Sequence, residues 1–421
     1  MQGGLVMKIN VIRIRSALHE KQKEMIKEND AFIDELNNEL MDDDILLEEN
    51  AKDADYSIVF VESGGSEVPF TKIFDQLEDP ILLLSNGKNN SLPASLEIKT
   101  YIAQKKKTCL LLTGEEEQIA ESLRSASSVF GAIHALKNTN LGVIGKPSDW
   151  LIASQVDYQL VKDKYGINLI DIPMEEFKAE VDKKEMGDVP HYSTLEKKFK
   201  NKEVLEGALY FYGALKRIIK KYNLSGFTLR CFDLLESHKN TSCLAFGLLN
   251  EEGITAACEG DIPSLLTMHF VRAINGQPSF QCNPSSINFK ENTILFAHCT
   301  LPLNMVSKYN LTTHFESGLG IGIKGEMSLG KISVLKLAPS LRSDESVAYN
   351  GTIKKNLSLP NYCRTQIEVE ADENGLFSLF KDNFGNHMII TYGDCVGQFL
   401  SLINFLDSRY EYMKEAEKEQ K

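Results

Sequence analysis

The chain lacks long apolar runs. Its 421 residues contain no uninterrupted apolar stretch longer than about five residues, whereas a helix that crosses a bilayer needs about 20. The first residues do not form the apolar core of a secretory signal peptide, since Lys8, Arg13 and Arg15 interrupt them. The sequence therefore argues against a membrane partner and predicts a cytoplasmic protein.

The chain also lacks closely paired cysteines. Its eight cysteines include no C-x-x-C motif, which argues against a zinc knuckle and against a thioredoxin-like redox pair. Most of them lie in apolar segments, as Cys258 does after Ala256 and Ala257, and such cysteines are usually buried. We expect reduced thiols, which fit a reducing compartment such as the cytoplasm.

Basic residues are too few for a protein whose main partner is nucleic acid. The chain has 46 lysines and arginines against 59 aspartates and glutamates, which gives a formal net charge of −13. Contact with phosphates requires a basic face, so this balance argues against nucleic-acid binding. The composition, 43% hydrophobic and 25% charged, is that of a globular protein with two or three domains.

The hydrophobic pattern predicts an α/β fold followed by a β-rich region. Short apolar runs such as 8–14, 57–62 and 80–84 alternate with helical segments in the first third of the chain. This alternation predicts parallel sheets covered by helices. In the last third, strand-like segments such as 310–316 and 376–380 are separated by turns, which predicts an antiparallel, barrel-like domain.

These patterns together predict three domains. Residues 1–138 form an N-terminal α/β domain, and residues 139–300 form a second α/β domain that contains Glu259. Residues 301–421 form a β-rich C-terminal domain that ends in a helix. The two α/β domains are expected to be flavodoxin-like or Rossmann-like, with ligands at the carboxyl ends of their strands.

The most informative segment runs from Cys258 to Pro263. A strand of small residues leads directly into Glu259 and Asp261, and a helix follows. Asp261 occupies the position of an N-cap residue, with Pro263 in the first helical turn. Glu259 has no such structural role, and a carboxylate at the carboxyl end of a parallel strand faces the ligand crevice. The pattern therefore predicts a chemical role for Glu259.

Histidines mark the ends of two further apolar strands. His298 ends one apolar run, and His387 begins another. Each alone is more typical of a core residue, but two histidines and one carboxylate would suit a divalent metal ion if the fold brings them together. His314 and Glu316 alternate along one face of a predicted strand and could join them.

Five separated motifs carry a family resemblance. They resemble the L-fucose isomerase/L-arabinose isomerase superfamily, and more narrowly its shorter fucose-isomerase-like members. The likeness extends in order along nearly the whole chain. The motifs are Asn90–Glu97, Gly145–Ser154, Cys258–Asp261, His298–Cys299 and Gly385–His387.

The resemblance implies a fold and an activity. It implies two flavodoxin-like domains and then a β-rich domain, in agreement with the hydrophobic pattern. It implies interconversion of aldoses and ketoses with a divalent cation, usually Mn²⁺. It also implies a homo-oligomer, because active sites in this superfamily lie near a subunit junction.

The resemblance further implies roles for individual residues. Glu259 takes the place of the first metal-binding carboxylate, and His387 takes that of the metal-binding histidine. His298 resembles the additional active-site histidine of the arabinose-type enzymes. Asn283 stands where the second metal-binding carboxylate is expected. An amide oxygen can coordinate a hard cation, but it cannot accept a proton at neutral pH.

The loss of this carboxylate leaves the second acid–base group open. General acid–base assistance typically contributes about 10²–10⁴-fold to a rate. Glu259 could move one proton between adjacent carbons alone, or Asp261, Glu316 or His298 could supply the second group. A cation held by one carboxylate keeps a net positive charge, which favours an acidic or phosphorylated sugar. The predicted substrate contacts are His314, Glu316 and Asn283.

Three functions follow, in decreasing order of support. The first is a metal-dependent isomerase of carbohydrate metabolism that acts on an L-fucose- or L-arabinose-like sugar through a cis-enediol, with Glu259 as metal ligand and base. The second is a related epimerase, lyase or phosphosugar isomerase, which the replacement of the second carboxylate by Asn283 would explain. The third is a sugar-binding or regulatory protein without catalysis.

Overall fold

The short apolar runs of the sequence become strands of two parallel sheets and one closed barrel in the computed structural model. The structure describes residues 7–19, 22–382 and 384–419. They belong to a first unit, residues 1–131 and 408–421, and a second unit, residues 132–407. The predicted fold class, parallel α/β sheets followed by an antiparallel barrel, is confirmed.

The first unit contains a five-stranded parallel sheet in the order β2-β1-β3-β4-β5. This is the flavodoxin-like strand order. Its central strands are apolar on both faces because helices cover both sides of the sheet. Its elements are β1 (Met7–Ile14), α1 (Lys23–Leu40), β2 (Ile45–Glu49), β3 (Tyr56–Val61), α2 (Glu67–Ile73), β4 (Ile81–Ser85), α3 (Ser91–Gln104), β5 (Cys109–Thr113) and the start of α4 (Glu116–Leu136).

The second unit begins with a four-stranded parallel sheet in the order β7-β6-β8-β9. The strand β9 is the small-residue strand that precedes Glu259. The elements are β6 (Asn140–Ile144), α5 (Tyr158–Tyr165), β7 (Asn168–Ile172), α6 (Met174–Val181), α7 (Tyr192–Lys198), α8 (Lys202–Tyr222), β8 (Gly226–Leu229), α9 (Asp233–His238), α10 (Cys243–Glu251), β9 (Thr255–Cys258) and α11 (Ile262–Asn275).

The same unit continues into a closed antiparallel barrel in the order β10-β11-β16-β15-β14-β17. The strands β12 and β13 form a separate antiparallel pair. The elements are β10 (Phe280–Asn288), β11 (Thr293–His298), β12 (Val306–Thr312), β13 (Gly322–Met327), β14 (Gly330–Lys336), β15 (Val347–Asn356), β16 (Thr365–Ala371), α12 (Glu373–Lys381), β17 (Met388–Tyr392) and the start of α13 (Val396–Glu419), whose residues from 408 on belong to the first unit.

One apolar core joins the sheet and the barrel of the second unit. It includes Phe227 of sheet strand β8, Phe246 of helix α10, and Val334 and Ile390 from the barrel, all fully buried. Two barrel strands, β10 and β11, lie before residue 301. The three-domain division with boundaries at 138 and 300 stays a prediction. None of the described helices combines the length and apolarity that a membrane span requires.

Two predicted strand segments are wrong in detail. Residues 376–380 lie in helix α12, because Asp372 caps that helix by accepting a hydrogen bond from Gly375 N at 2.7 Å. The segment 310–316 is a strand only as far as Thr312, and a turn follows. Both segments are short, and over so few residues periodicity alone does not distinguish a strand from other structures.

We predict that alanine at Gly213 in α8 destabilises the protein. Alanine normally stabilises a helix interior relative to glycine by about 1 kcal/mol. Here the new Cβ would lie 2.1 Å from the backbone oxygen of Glu185, and such overpacking typically costs about 1–3 kcal/mol. Gly213→Ala should therefore lower the free energy of unfolding measured in urea.

Gly397→Ala is the matched control, because Gly397 lies in α13 and its new methyl group would have no described atom within 4 Å beyond its own helix. We expect that variant to be as stable as the wild type or more stable. Equal stability of both variants would contradict the close approach of Glu185 to α8.

Candidate active site

The predicted residues converge on Glu259 and on the cavity that it lines in the second unit. Glu259 follows β9, His298 ends β11, and His387 directly precedes β17. The cavity has a volume of about 480 Å³, and Glu259 and His298 line it. The carboxyl end of a parallel strand thus faces the ends of the barrel strands, as the position of Glu259 predicts.

The backbone around Glu259 is strained. Glu259 has φ +64° and Gly260 has φ +75°, a left-handed conformation that non-glycine residues rarely adopt. At Gly260 a side chain is excluded, since a Cβ would lie 2.3 Å from Lys146 O. Ser148 N donates a hydrogen bond of 3.0 Å to Glu259 O. Such strain is typical of functional sites, where the surrounding structure holds a residue in place.

The two carboxylate oxygens of Glu259 have different surroundings. Oε2 accepts a 2.7 Å hydrogen bond from Trp150 Nε1. Oε1 lies 3.5 Å from His387 Nε2 and 3.7 Å from His298 Nε2. Burial acts to raise the pKa of Glu259, but the two histidines outweigh burial and hold it well below its usual range. Glu259 is therefore ionised at neutral pH.

Asp261 orients His387. The ring Nδ1 of His387 lies 2.8 Å from Asp261 Oδ2, and an ionised carboxylate only accepts, so Nδ1 bears a hydrogen. The buried Nε2 of His387 has no hydrogen-bond partner among the described residues. Burial acts to lower the pKa of His387, but Glu259 and Asp261 outweigh burial and raise it to about 9. A proton thus occupies Nε2 at neutral pH, where a cation could take its place.

His298 has the opposite arrangement. Its Nδ1 accepts a 3.1 Å hydrogen bond from the backbone N–H of Thr300. When the ring is neutral, its single hydrogen is therefore on Nε2, which points towards Glu259 Oε1. The geometry makes Nε2 of His298 a hydrogen-bond donor towards the cavity. Nε2 of His387 has a lone pair available only after it loses its proton.

Asp261 is a helix cap and a buried ion-pair partner. The predicted N-cap is confirmed: Oδ1 accepts a 2.8 Å hydrogen bond from Ser264 N, and α11 follows. Lys336 Nζ lies 3.1 Å from Oδ2. Burial acts to raise the pKa of Asp261, but Lys336 and His387 hold it below its usual range. Asp261 is fully buried and has partners on both oxygens, an arrangement that suits positioning of His387 better than contact with a substrate.

The three predicted substrate contacts all line the cavity. Asn283 lies in β10, and its Nδ2 donates a 3.0 Å hydrogen bond to Asn386 Oδ1. His314 and Glu316 do not alternate along a strand as expected, because Gly318 N closes a turn onto His314 O at 3.0 Å. The turn nevertheless places both at the cavity.

The turn residues have shifted pKa values. Burial and the charge of His298 lower the pKa of His314 to about 4. Burial and the charge of Glu259 raise the pKa of Glu316 above its usual value. At neutral pH, His314 is therefore a neutral ring that can accept or donate hydrogen bonds.

Sequence reasoning assigned no role to three residues at this site. Trp150 and Lys336 contact Glu259 and Asp261 respectively. Cys258 Sγ, one carboxylate oxygen of Glu259 and one ring nitrogen of His298 all lie within 4.8 Å of one another. These three atoms are of types that can bind a metal ion. Trp150 and Cys258 each belong to a motif that carries the family resemblance, and this was the signal available for them. Lys336 lies in an ordinary apolar strand, so nothing local marked it.

We predict that the protein, measured in EDTA, loses stability as pH rises from about 6.5 to 9. A histidine whose pKa is raised on folding stabilises fully below its unfolded pKa of about 6.5. That contribution disappears as pH passes the folded value of about 9. Urea unfolding in EDTA at several pH values measures the change.

His387→Gln should lack this part of the pH dependence. His269→Gln is the matched control, because His269 is also buried but its pKa is lowered to about 4, outside this window. Parallel stability curves for the wild type and His387→Gln between pH 6.5 and 9 would contradict the assignment.

Comparison with known proteins gives relatives of one kind. The chain is 25% identical to a sulfoquinovose isomerase of Alkalicoccus urumqiensis over 44% of this chain and 43% of that protein. It is 21% identical to a sulfoquinovose isomerase of Priestia megaterium over 70% of this chain and 68% of that protein. A protein of the same name from Clostridium sp. is 23% identical over 46% of this chain and 45% of that protein.

No protein-family profile matches the chain. The match spans less than half the length of the Alkalicoccus protein. At this level of identity the comparison supports the expected kinship with sugar isomerases, related to the L-fucose and L-arabinose isomerases, and does not distinguish the type. The chain is thus similar to sugar isomerases over 70% of its length in the longer of these matches.

Proposed function

We propose that the protein is an aldose–ketose isomerase for a sulfonated sugar such as sulfoquinovose. The observation that carries the proposal is the meeting of Glu259, His298 and His387, with the two histidines in opposite hydrogen-bonding arrangements. Enediol chemistry needs a base, a hydrogen-bond donor and a ligand for a cation. Here they would be one carboxylate, one ring that donates and one ring whose nitrogen has a lone pair after it loses its proton.

The residues fit a divalent cation such as Mn²⁺. His387 Nε2 is buried without a hydrogen-bond partner among the described residues and faces Glu259 Oε1. Asp261 would orient the His387 ring through its Nδ1, as carboxylates commonly orient metal-binding histidines. The amide oxygen of Asn283 is a further candidate ligand, as its place in the family resemblance implies. When bound, the cation would polarise the sugar carbonyl and stabilise negative charge on its oxygen.

Glu259 and His298 would move the protons. Glu259 takes the proton from C2 of the open-chain aldose, while His298 Nε2–H donates to O1, and a cis-enediol forms. Glu259 then returns its proton to C1, and His298 takes the proton from O2, so that a ketone forms at C2. Both groups end in their starting states, and no external oxidant or reductant is required.

The substrate class rests on two supports. One is the name of the relatives, sulfoquinovose isomerase. The other is the absence of a second carboxylate at Asn283, which leaves more positive charge beside a bound cation and favours an anionic sugar. A neutral L-fucose- or L-arabinose-like aldose is the alternative substrate; it has neither support and rests on the family resemblance alone.

We predict that Mn²⁺ binding requires His387 but not His298. Calorimetry on EDTA-treated protein should show stoichiometric binding to the wild type. His387→Gln should weaken binding by more than about 100-fold, beyond the 10–100-fold typical for loss of an outer-shell partner. His298→Gln is the matched control and should bind Mn²⁺ as the wild type does, since its Nε2 bears a hydrogen.

Loss of Mn²⁺ binding in both variants would contradict the different roles of the two rings. Absence of binding to the wild type would overturn the metal-dependent proposal and favour a sugar-binding protein without catalysis.

We predict that His298→Gln lowers turnover by about 10²–10⁴-fold, the usual contribution of a general acid–base group. Turnover is followed by NMR in D₂O, which reports both the ketose product and deuterium incorporated at C1. Glu259→Gln should abolish both signals. Metal binding by the wild type without turnover of any aldose would instead favour the related epimerase, lyase or phosphosugar isomerase. The replacement of the second carboxylate by Asn283 is the reason for considering such an enzyme.

A further inference from the structure

The N-terminal end of α10 opens onto the same cavity as Glu259. Thr241, Ser242 and Cys243 line this cavity. Ser242 is the N-cap residue of α10, a helix of nine residues. The first amides of a helix have no partner within the helix, and their dipoles give the N-terminus a partial positive charge. Such an end is suited to binding an anion.

Ser242 has an unusual hydroxyl. A serine at the N-cap ordinarily accepts a hydrogen bond from an amide of the first turn, but Ser242 makes no such bond. The residue is 1% exposed, and its Oγ has no hydrogen-bond partner among the described residues. A buried hydroxyl without a partner costs free energy. This is an observation independent of the helix end, and it leaves the Ser242 hydroxyl with an unused hydrogen-bond donor.

The backbone before Ser242 is held in place. Thr241 Oγ1 donates to Ile321 O at 2.8 Å and accepts from Ile321 N at 2.9 Å. Asn240 Nδ2 donates to Val204 O at 2.8 Å. Gly320 packs so closely that a Cβ there would lie 2.5 Å from Thr241 N. The helix end is therefore preorganised, which lowers the cost of binding a ligand.

Among the described residues, the cavity offers an anion neutral polar and histidine side chains but no lysine or arginine. Of the described residues that line it, Glu259 and Glu316 are acidic and none is lysine or arginine. A sulfonate placed beside either carboxylate would be repelled. The end of α10 supplies hydrogen-bond donors without a full charge.

We propose that the N-terminus of α10 and the Ser242 hydroxyl bind the anionic group of the substrate, a tetrahedral oxyanion at the end of the sugar remote from the reacting carbons. Ser242 Oγ–H and the first-turn amides would donate to its oxygens. This proposal rests on the proposed function for the identity of the anion, a sulfonate. A sugar phosphate has the same oxyanion chemistry, and the experiment distinguishes the two.

The test compares binding and turnover in two variants of Ser242. Ser242→Ala removes the hydroxyl and should weaken binding of sulfoquinovose by about 10- to 100-fold, the usual value of a hydrogen bond to a charged group. Ser242→Asp places a carboxylate on the same amides and should weaken it by at least about 100-fold, because like charges oppose binding. Aspartate is a favoured N-cap residue, so α10 should still form.

Three comparisons make the result specific. Glucose, which has the same ring without the sulfonate, should be affected little by either variant. Ser237→Asp adds the same charge on the exposed face of α9 and should leave sulfoquinovose binding unchanged. Glucose 6-phosphate, measured in parallel, shows whether a phosphate uses the site instead, and Ser242-dependent binding of either anion supports the proposal.

Calorimetry of binding decides this proposal, and NMR turnover decides the proposed function. Ser242-dependent binding of sulfoquinovose without turnover would leave the anion site standing and overturn the isomerase. If the protein turns over sulfoquinovose and Ser242→Asp leaves that turnover unchanged, the isomerase stands and the anion site is overturned. Failure of the wild type to bind either anionic sugar would overturn the anion site.

Discussion

The carboxylate of Asp261 joins three parts of the second unit. It caps α11 through Ser264, pairs with Lys336 of barrel strand β14 and holds His387, the residue before β17. A buried carboxylate is stable only when such partners replace its lost hydration. The rest of the site depends on this group, because His387 in turn faces Glu259. The sheet edge and the barrel are thereby fixed around the reacting residues.

The cavity is lined by two features of different character. Glu259 is held in a left-handed backbone conformation and lies between two histidines and Trp150. The helix α10 begins with a buried hydroxyl that has no partner among the described residues. The first feature suits proton transfer, and the second suits an anion. An open-chain sugar that has an acidic group as well as its carbonyl would match both features, which connects the proposed chemistry with the proposed substrate.

Local patterns were sufficient for much of the fold and part of the site. Strand–helix alternation predicted the parallel sheets, the turn-separated strands predicted the barrel, and the cap at Asp261 followed from its spacing to Pro263. Short segments were less secure: 376–380 is helical because Asp372 caps it, and the strand expected to end at Glu316 ends at Thr312. Trp150 and Lys336 could not be assigned, since each acts on a residue more than 70 positions away.

The order of residues was enough to place the chemical groups at strand ends, because the apolar pattern sets where strands stop. What each group can do depends on contacts that exist only in the folded chain. His298 accepts from Thr300, two residues along the chain, whereas His387 donates to Asp261, 126 residues away. Once both rings are neutral, two histidines in similar sequence contexts therefore carry their single hydrogens on opposite nitrogens, since a ring's tautomer depends on the partner that the fold brings to it.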